Sequence, residues 1–500
     1  MKKKAGLTTL AIVGWILLPN PVPIVAQQAA ERQHSHHMYK VVDLGNLGGP
    51  QSYLPIGSEM LNNRGTVVGW SDTPTAGYPE FCFPDFEDGF SRHAFKWQKG
   101  VLTELGTLPN GTSSQAVWIS PNGLIAGYSN NGQSDPDVFG FPQARAVVWD
   151  HGNAIDLGTF GGNQSTSYAI NSRGQVAGVA LNAIPDPYSF YDLVFCGSPN
   201  GTQTRAFLWD RNNGMQDLGT LGTGNDALAF FVNEAGQVAG IAYTDSTPNP
   251  TTGLPTFHPF LWEKGKGMRD LGTIGGAAVF SLSGLNQRGQ IAGTQTLAGD
   301  TRSHPFLWDG RKLVDLGTLG ADQDYANWIN DEGDVVGVGA PPGAQNHGFL
   351  WRKGKMTDLG LLPGDFYSET TVINSHGQIV GVSGNNTSAS AVLWENGKIF
   401  DLNTLVLPGS GLIVQVAVYI NDPGEIAAFA VDSDGNNHDV LLIPCDESHQ
   451  GVEGCDYGMA ETSPAGFVRP PLLETSRRRA QATLWRRTHR IFFPGVGLKR

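Results

Sequence analysis

Residues 165–219 read STSYAINSRGQVAGVALNAIPDPYSFYDLVFCGSPNGTQTRAFLWDRNNGMQDLG, and this stretch decides the fold. It contains four short runs rich in apolar and β-branched residues, at residues 167–170, 175–179, 206–209 and 215–218. Gly, Asn and Asp bound these runs, and no helical hydrophobic period separates them. The stretch therefore predicts four consecutive β-strands.

Three patterns from this stretch recur along the whole chain. The first ends in Asp-Leu-Gly, the second resembles Ile-Asn-x-x-Gly-Gln-Val-x-Gly, and the third resembles His-Ala-Phe-Leu-Trp; each occurs eight times, counting looser copies. Successive copies of the first pattern lie 43 to 61 residues apart. Four strands in every cycle of this length are the signature of a β-propeller, whereas a β-helix would show shorter and more regular rungs. The first pattern or a variant of it begins at Asp43, Glu104, Asp156, Asp217, Asp270, Asp315, Asp358 and Asp401.

The two ends of the repeat region complement each other. Tight turns join the first two runs and the last two runs of a cycle, so we place the blade boundary in the longer segment after Asp-Leu-Gly. With this boundary the last cycle supplies only three strands, at residues 414–420, 425–431 and 438–443, and residues 39–44 supply the fourth. Such a 3+1 closure removes the exposed edge of an open ring. We therefore predict one all-β propeller over residues 39–444, with eight four-stranded blades.

These motifs resemble the extracellular HAF-repeat family, which is named for the His-Ala-Phe motif. The resemblance covers roughly residues 39–444, and the eightfold recurrence makes it specific. The chain departs from the motif at Arg145, Arg205 and Ser390 in the His position, and at Val147 and Val392 in the Phe position. The resemblance implies secretion and a propeller-like fold, and it implies no activity.

The first 26 residues have the pattern of a secretory signal peptide. Three lysines at positions 2–4 precede an apolar stretch over residues 5–18, which is too short for an ordinary membrane span. Cleavage after Ala26 is the expected outcome, with an uncleaved anchor as the alternative, and residues 27–38 then form a leader. We predict a secreted protein, extracellular or periplasmic, with no transmembrane span beyond the signal.

Charge separates the repeat region from the C-terminal tail. Residues 31–455 carry 21 basic and 43 acidic side chains, a balance that argues against nucleic acid as a partner. The tail over residues 456–500 is instead basic, with arginines at 477–479 and 486–487 among apolar residues. Two interpretations are open: a short basic helix that contacts an anionic surface, or a solvated extension.

Four cysteines in an exported chain predict disulfides. Cys445 and Cys455 flank a short polar loop and are expected to pair, although pairing of either with Cys82 or Cys196 is open. A Cys82–Cys196 bridge is the possible second disulfide. It would tie two long loops together.

The repeated polar residues are predicted to be structural. An Asp at a strand end accepts hydrogen bonds from the amides of the following loop, and a His that recurs at a strand start is explained by a scaffold hydrogen bond. Asp432, Asp434 and Asn436 resemble a calcium loop with a misplaced glycine, so we interpret them as a hairpin turn. The sequence shows no nucleophile elbow, phosphate loop or zinc-ligand spacing. We therefore predict no catalytic residue, metal or cofactor, and we favour a binding module over an enzyme.

The main non-repeating parts are four long connections between second and third strands, at residues 72–92, 130–143, 180–204 and 243–256. In a four-stranded meander these connections lie on one face, here over half of the ring. Because loops on a rigid scaffold carry function, we predict a recognition surface for an extracellular glycan or protein. An equally weighted interpretation is that their aromatic rings only pack the loops together. The candidate binding residues are Tyr78, Phe81, Phe83, Asp85, Phe86, Asp88, Asp135, Asp137, Phe139, Phe141, Tyr188, Phe190 and Tyr191.

The rival function is a polysaccharide hydrolase or lyase, an idea that rests on fold analogy alone. Such an enzyme would need two carboxylates about 5–10 Å apart in one pocket. The candidate carboxylates for such a site are Asp85, Glu87, Asp88, Asp135 and Asp137.

Overall fold

The computed structural model describes residues 38–77, 89–138, 140–150, 152–196, 198, 200–250, 253–277 and 279–455. Within these ranges the chain forms 32 strands in eight four-stranded antiparallel sheets, and helix is limited to single turns. This confirms the predicted eight-bladed β-propeller. The predicted signal, most of the leader and the basic tail lie outside the described residues.

In blades 1 to 7 the four strands follow chain order from the central channel to the outer edge. Blade 1 is β2 (Ser52–Tyr53), β3 (Val67–Ala76), β4 (Phe90–Gln98) and β5 (Val101–Glu104); blade 2 is β6 (Ser114–Ile119), β7 (Ile125–Ser134), β8 (Pro142–Asp150) and β9 (Asn153–Asp156). Blade 3 is β10 (Gly161–Ile170), β11 (Val176–Asp186), β12 (Gly201–Asp210) and β13 (Gly214–Asp217); blade 4 is β14 (Ala227–Val232), β15 (Val238–Pro248), β16 (Pro255–Glu263) and β17 (Gly267–Asp270).

In the second half of the ring the second and third strands of each blade are shorter. Blade 5 is β18 (Val279–Leu285), β19 (Ile291–Thr296), β20 (Ser303–Trp308) and β21 (Leu313–Asp315); blade 6 is β22 (Tyr325–Ile329), β23 (Val335–Gly339), β24 (His347–Arg352) and β25 (Lys355–Asp358). Blade 7 is β26 (Tyr367–Ile373), β27 (Ile379–Gly384), β28 (Ala389–Glu395) and β29 (Lys398–Asp401); blade 8 is β30 (Ile413–Ile420), β31 (Ile426–Val431), β32 (Asn437–Pro444) and β1 (Tyr39–Asp43).

Blade 8 closes the ring as predicted. Strand β1 pairs antiparallel with β32, with Tyr39 opposite Pro444 and Asp43 opposite Val440. The imidazole Nδ1 of His438 lies 2.7 Å from Asp43 Oδ2, so a side-chain contact joins the two ends of the repeat region as well. The N-terminal strand therefore covers the edge that β32 would otherwise expose.

The second and third sequence motifs are sterically complementary. Gly240 lies opposite Phe260 in adjacent strands, and a Cβ on this glycine would lie 2.6 Å from the Phe260 ring. The ring is fully buried, so the glycine provides the space that the phenylalanine fills. The same opposed pairs are Gly69 and Phe95, Gly178 and Phe207, Gly293 and Phe306, and Gly337 and Phe349.

The first and third motifs are also partners. His258 Nδ1 lies 2.9 Å from Asp270 Oδ1, and the same carboxylate accepts a 2.7 Å hydrogen bond from the Gly272 amide. This confirms the structural interpretation of both repeated residues. Equivalent contacts join His304 to Asp315 and His347 to Asp358. In blade 3, Arg205 replaces the histidine and donates to both oxygens of Asp217.

A chain of asparagine side chains runs around the channel at the first hairpin of each blade. Asn330 is typical: its Oδ1 accepts from the Asp334 amide at 2.9 Å, and its Nδ2 donates to the Asn374 carbonyl of the next blade at 3.1 Å. In blade 2 serine replaces this asparagine, and Asn122 bridges to the Ser172 carbonyl instead. Every blade boundary is thereby bridged. The other donors are Asn62, Asn171, Asn233, Asn286, Asn374 and Asn421.

We expect Asn330→Ala to lower the free energy of unfolding by about 1–3 kcal/mol, because it removes the hydrogen bond to the buried Asn374 carbonyl and leaves the buried Asp334 amide without its Asn330 acceptor. Urea-induced unfolding followed by circular dichroism measures the change. Asn212→Ala is the matched control, since Asn212 is exposed in an outer turn. Equal effects of the two substitutions would contradict a role for the asparagine chain in stability.

Candidate functional site

The long connections of blades 1 to 4 partly extend the sheets. In blade 3, β11 and β12 continue outward until Asp186 pairs with Gly201, and the intervening residues include a one-turn helix at Phe190–Phe195. Because strand direction alternates, these connections lie on the face that carries the blade-to-blade crossings. We call the described parts of the blade 2, 3 and 4 connections, within residues 130–143, 180–204 and 243–256, the insertion platform.

The platform is tied together across blade boundaries. Ser198 Oγ donates to the Asp137 carbonyl at 2.7 Å, which joins the blade 3 connection to that of blade 2. The Tyr243 hydroxyl donates to the Tyr188 carbonyl at 3.1 Å, which joins blade 4 to blade 3. The Phe190 ring lies 5.6 Å from the Phe257 ring in an edge-to-face arrangement. The three connections therefore form one continuous body.

The predicted aromatic residues that the structure describes are packed inside this body. Phe190 and Tyr191 are 1% and 0% exposed. Tyr188 and Phe141 are half-buried against the same hydrophobic cluster. For these residues the structure shows the packing role that the sequence left open. The predicted residues Tyr78, Phe81, Phe83, Asp85, Phe86, Asp88 and Phe139 lie outside the described residues, as does Glu87.

The two described carboxylates among the predicted site residues hold loops in place. Asp135 is buried and accepts from the amides of Asp137 at 2.8 Å and Val138 at 3.2 Å. Asp137 Oδ2 accepts from Asn163 Nδ2 at 2.7 Å. Burial raises the pKa of Asp135. Both side chains stabilise the blade 2 connection.

Sequence reasoning missed three aspartates that anchor the blade 3 connection. Asp226 is buried and accepts from the amides of Phe190 at 2.5 Å and Thr204 at 2.9 Å. Burial, followed by the charge of Asp186, raises the pKa of Asp226 well above its usual range. Burial also raises the pKa of Asp192 to about 6. All three aspartates lie outside the repeated motifs, and this departure from the repeat is the sequence signal that could have identified them.

The predicted Cys445–Cys455 disulfide is confirmed, with the two Cα atoms 5.3 Å apart. It follows β32 directly and pins the chain beside blade 8. Cys196 is a disulfide cysteine, while Cys82 lies outside the described residues, so the Cys82–Cys196 pairing stays a prediction.

On the opposite face, the ends of the inner strands enclose a cavity of about 350 Å³ in the channel. Aromatic side chains come from every second blade and small or aliphatic ones from the blades between. The Trp118 and Phe231 rings lie 6.0 Å apart, and the Trp328 and Tyr419 rings lie 5.7 Å apart. Each pair thus reaches across the intervening blade. The equivalent residues of blades 1, 3, 5 and 7 are Met60, Ala169, Gly284 and Val372.

The cavity wall is acidic. It carries Glu59, Glu234, Asp331 and Asp422, and none of its 26 lining residues is Lys, Arg or His. The Glu59 carboxyl accepts a hydrogen bond from the Trp118 side chain; burial, followed by the charges of the other three carboxylates, raises the pKa of Glu59 to about 8. Sequence analysis missed this site, although the alternation of aromatic and smaller residues before the Ile-Asn motif was readable.

Two further properties concern the described residues as a whole. No three His, Cys, Asp or Glu side chains in that part of the chain are grouped so that they could hold a metal ion. No helix described there has the length and hydrophobicity that a membrane crossing requires.

Comparison with solved structures finds similarities at low sequence identity. Neither a family model nor a curated protein matches this chain. One similar solved structure is the β-propeller domain of the Trilobed protease from Pyrococcus furiosus, which is described as having an open velcro topology. It is 11% identical to this chain, and the match covers 73% of this chain and 98% of that domain with a TM-score of 0.40. An acylaminoacyl peptidase from Pyrococcus horikoshii is 11% identical over 76% of this chain and 58% of its own, also at 0.40. A gluconolactonase from Xanthomonas campestris is 13% identical over 60% and 79%, at 0.23. At these TM-scores the similarities carry no argument about activity.

We expect Glu59→Gln to make stability less sensitive to alkaline pH. The pKa of Glu59 is raised from 4.5 to about 8 in the folded chain, so its contribution to stability is complete below pH 4.5 and is lost as the pH rises through about 8. The variant cannot lose a proton at this position. The Tm of the variant minus that of the wild type should therefore increase by a few degrees as the pH rises from about 5 to about 9.

Thermal unfolding across this pH range, with Glu332→Gln as the control, checks the expectation. Glu332 is exposed on the first hairpin of blade 6 and does not line the cavity. A Tm difference between Glu59→Gln and wild type that stays constant with pH would show that the Glu59 carboxyl titrates normally.

Proposed function

We propose that the chain is an exported binding module and that the insertion platform is its recognition surface. The observation that supports this most directly is that three non-repeating connections, on three adjacent blades, are held together as one body. A surface held rigid before binding loses less conformational entropy when a partner docks. Loops on a rigid scaffold are also where binding residues concentrate.

The proposed ligand is an extracellular glycan or an extended peptide. Ile184, on the outer part of β11, is 55% exposed and offers an apolar contact on the platform. The aromatic residues predicted for the blade 1 connection would extend this surface, because aromatic faces stack on sugar rings and grip apolar side chains. The buried rings of Phe190 and Tyr191 support the platform from below.

Export is supported by the Cys445–Cys455 disulfide, since disulfides persist mainly in oxidising compartments. The predicted signal peptide and the resemblance to HAF-repeat proteins point in the same direction. Contact of the basic tail with an anionic surface remains part of the proposal.

A glycan-active enzyme is less well supported than a binding module. Asp135 and Asp137, the described members of the predicted carboxylate cluster, already accept hydrogen bonds from loop amides and from Asn163. A general acid or nucleophile needs a carboxyl group that can reach the substrate.

A glycan and peptide array separates these functions. Replacing the four connections, residues 77–89, 135–141, 187–200 and 249–254, by the short turn at residues 385–388 should abolish binding. Ile184→Asp, which removes one exposed apolar contact without touching the buried body, should weaken binding about tenfold, the effect of roughly 1.4 kcal/mol.

The matched control exchanges residues 385–388 for the hairpin turn at residues 432–436, which alters a short connection of blade 7. Circular dichroism establishes that each variant is folded. Binding that survives both platform changes would place the site elsewhere, and conversion of an arrayed glycan to product would show that the protein is an enzyme.

A further inference from the structure

We propose that the central cavity binds a compact organic cation, meaning an ammonium or quaternary ammonium group carried on a small apolar body. The cavity opens on the face opposite the insertion platform, so this inference is independent of the proposed function. It rests on the shape, the aromatic wall and the charge of the cavity.

The size of the cavity suits a small molecule. Its volume of about 350 Å³ falls at the lower end of the range for ligand pockets, about 300–1,000 Å³. All eight blades contribute to the wall, and the asparagine chain joins them, so the cavity exists before any ligand enters. A preformed cavity of this size accommodates a few-carbon amine.

The aromatic wall matches a cation with an apolar surface. Two edge-to-face pairs, Trp118 with Phe231 and Trp328 with Tyr419, line the cavity from alternate blades. The face of an aromatic ring attracts a cation within about 6 Å, and groups of rings are the recurring solution for quaternary ammonium recognition. Aliphatic residues such as Ile170 and Val372 line the cavity beside the rings and offer contacts for the alkyl groups.

The charge of the cavity selects the sign of the ligand. Glu59 lies within, partly accessible through the cavity, while Glu234 and Asp422 are half-buried and Asp331 is exposed at the mouth. Basic side chains follow the lining residues in the hairpins and make hydrogen bonds at the rim of the cavity. Arg64, after Asn63, donates to the Asn122 carbonyl, and Arg288, after Gln287, donates to the Glu332 carbonyl. A cation is therefore the ligand that the lining would stabilise.

A bare metal ion fits less well than an organic cation. The carboxylates of the cavity belong to different blades, and no group of three possible ligands occurs among the described residues. Metal ions need several oxygen or nitrogen ligands at about 2.0–2.6 Å, whereas a quaternary ammonium group needs only apolar contact and a nearby negative charge.

Binding of a cation should release a proton from Glu59. Burial and the neighbouring carboxylates keep this group protonated near neutral pH, with a pKa of about 8. A bound cation favours the ionised form, so affinity should rise with pH up to that value. The other titratable groups at the mouth are Glu234, Asp331 and Asp422, with Arg64, Arg173, Arg288 and His376 on the rim.

Isothermal titration calorimetry with choline chloride tests the proposal on the full chain, with 3,3-dimethylbutan-1-ol as the uncharged analogue of the same shape. Titrations in two buffers of different ionisation enthalpy report proton release. We expect choline to bind at least about tenfold more tightly than the alcohol and to release a proton near pH 7, because the charge interacts with the rings and with Glu59.

Two variants locate the site. Glu59→Gln keeps the shape of the side chain and should lose at least about tenfold in choline affinity together with the proton release. Glu332→Gln makes the same Glu-to-Gln change outside the lining and should bind choline as the wild type does. Equal affinity for choline and the alcohol, no choline binding to the folded wild type, or equal losses in the two variants would overturn the proposal. Loss of glycan or peptide binding after platform replacement, with choline binding retained, would separate the two sites.

Discussion

The rest of the structure depends on the hydrogen bonds that the hairpin asparagines make from one blade to the next. In seven blades this side chain closes its own turn through Oδ1 and donates through Nδ2 to a buried carbonyl of the following blade, as Asn374 does to Asn421 at 3.0 Å. In blade 2 Asn122 makes only the bond to the next blade. The chain of contacts continues from Asn421 of blade 8 to Asn62 of blade 1, so it closes around the ring. A polar group buried at a blade boundary must be satisfied there, and this requirement fixes how neighbouring sheets are placed around the channel.

The fold could be predicted because its determinants are local and repeated. The opposed Gly240 and Phe260, or the contact between His258 and Asp270, lie within one blade and recur at matching positions. The cavity could not be predicted in the same way, because its residues are far apart in the sequence. Glu59 and Asp331 are separated by 272 positions, and their charges interact only in the folded ring. The role of Phe190 was equally hidden: its aromatic character was visible, but its burial depends on the neighbouring blade.

The two faces of the ring solve different physical problems. On one face, non-repeating connections need buried aspartates such as Asp226 to satisfy their backbone amides, which gives three connections a single rigid arrangement. On the other face, eight inner strands leave a channel that alternate aromatic rings only partly fill. Both features depart from the strict repeat, and both are the proposed binding sites.

The central claim is that the eight blades form one closed cooperative unit and not a linear stack. Native-state hydrogen exchange measured by mass spectrometry tests it most directly, because an open array of repeats frays from its ends whereas a closed ring does not. For a closed ring, we expect amides of β1 and of β30–β32 to exchange with the same opening free energy as those of blades 4 and 5. Faster exchange confined to blades 1 and 8 would contradict closure of the ring.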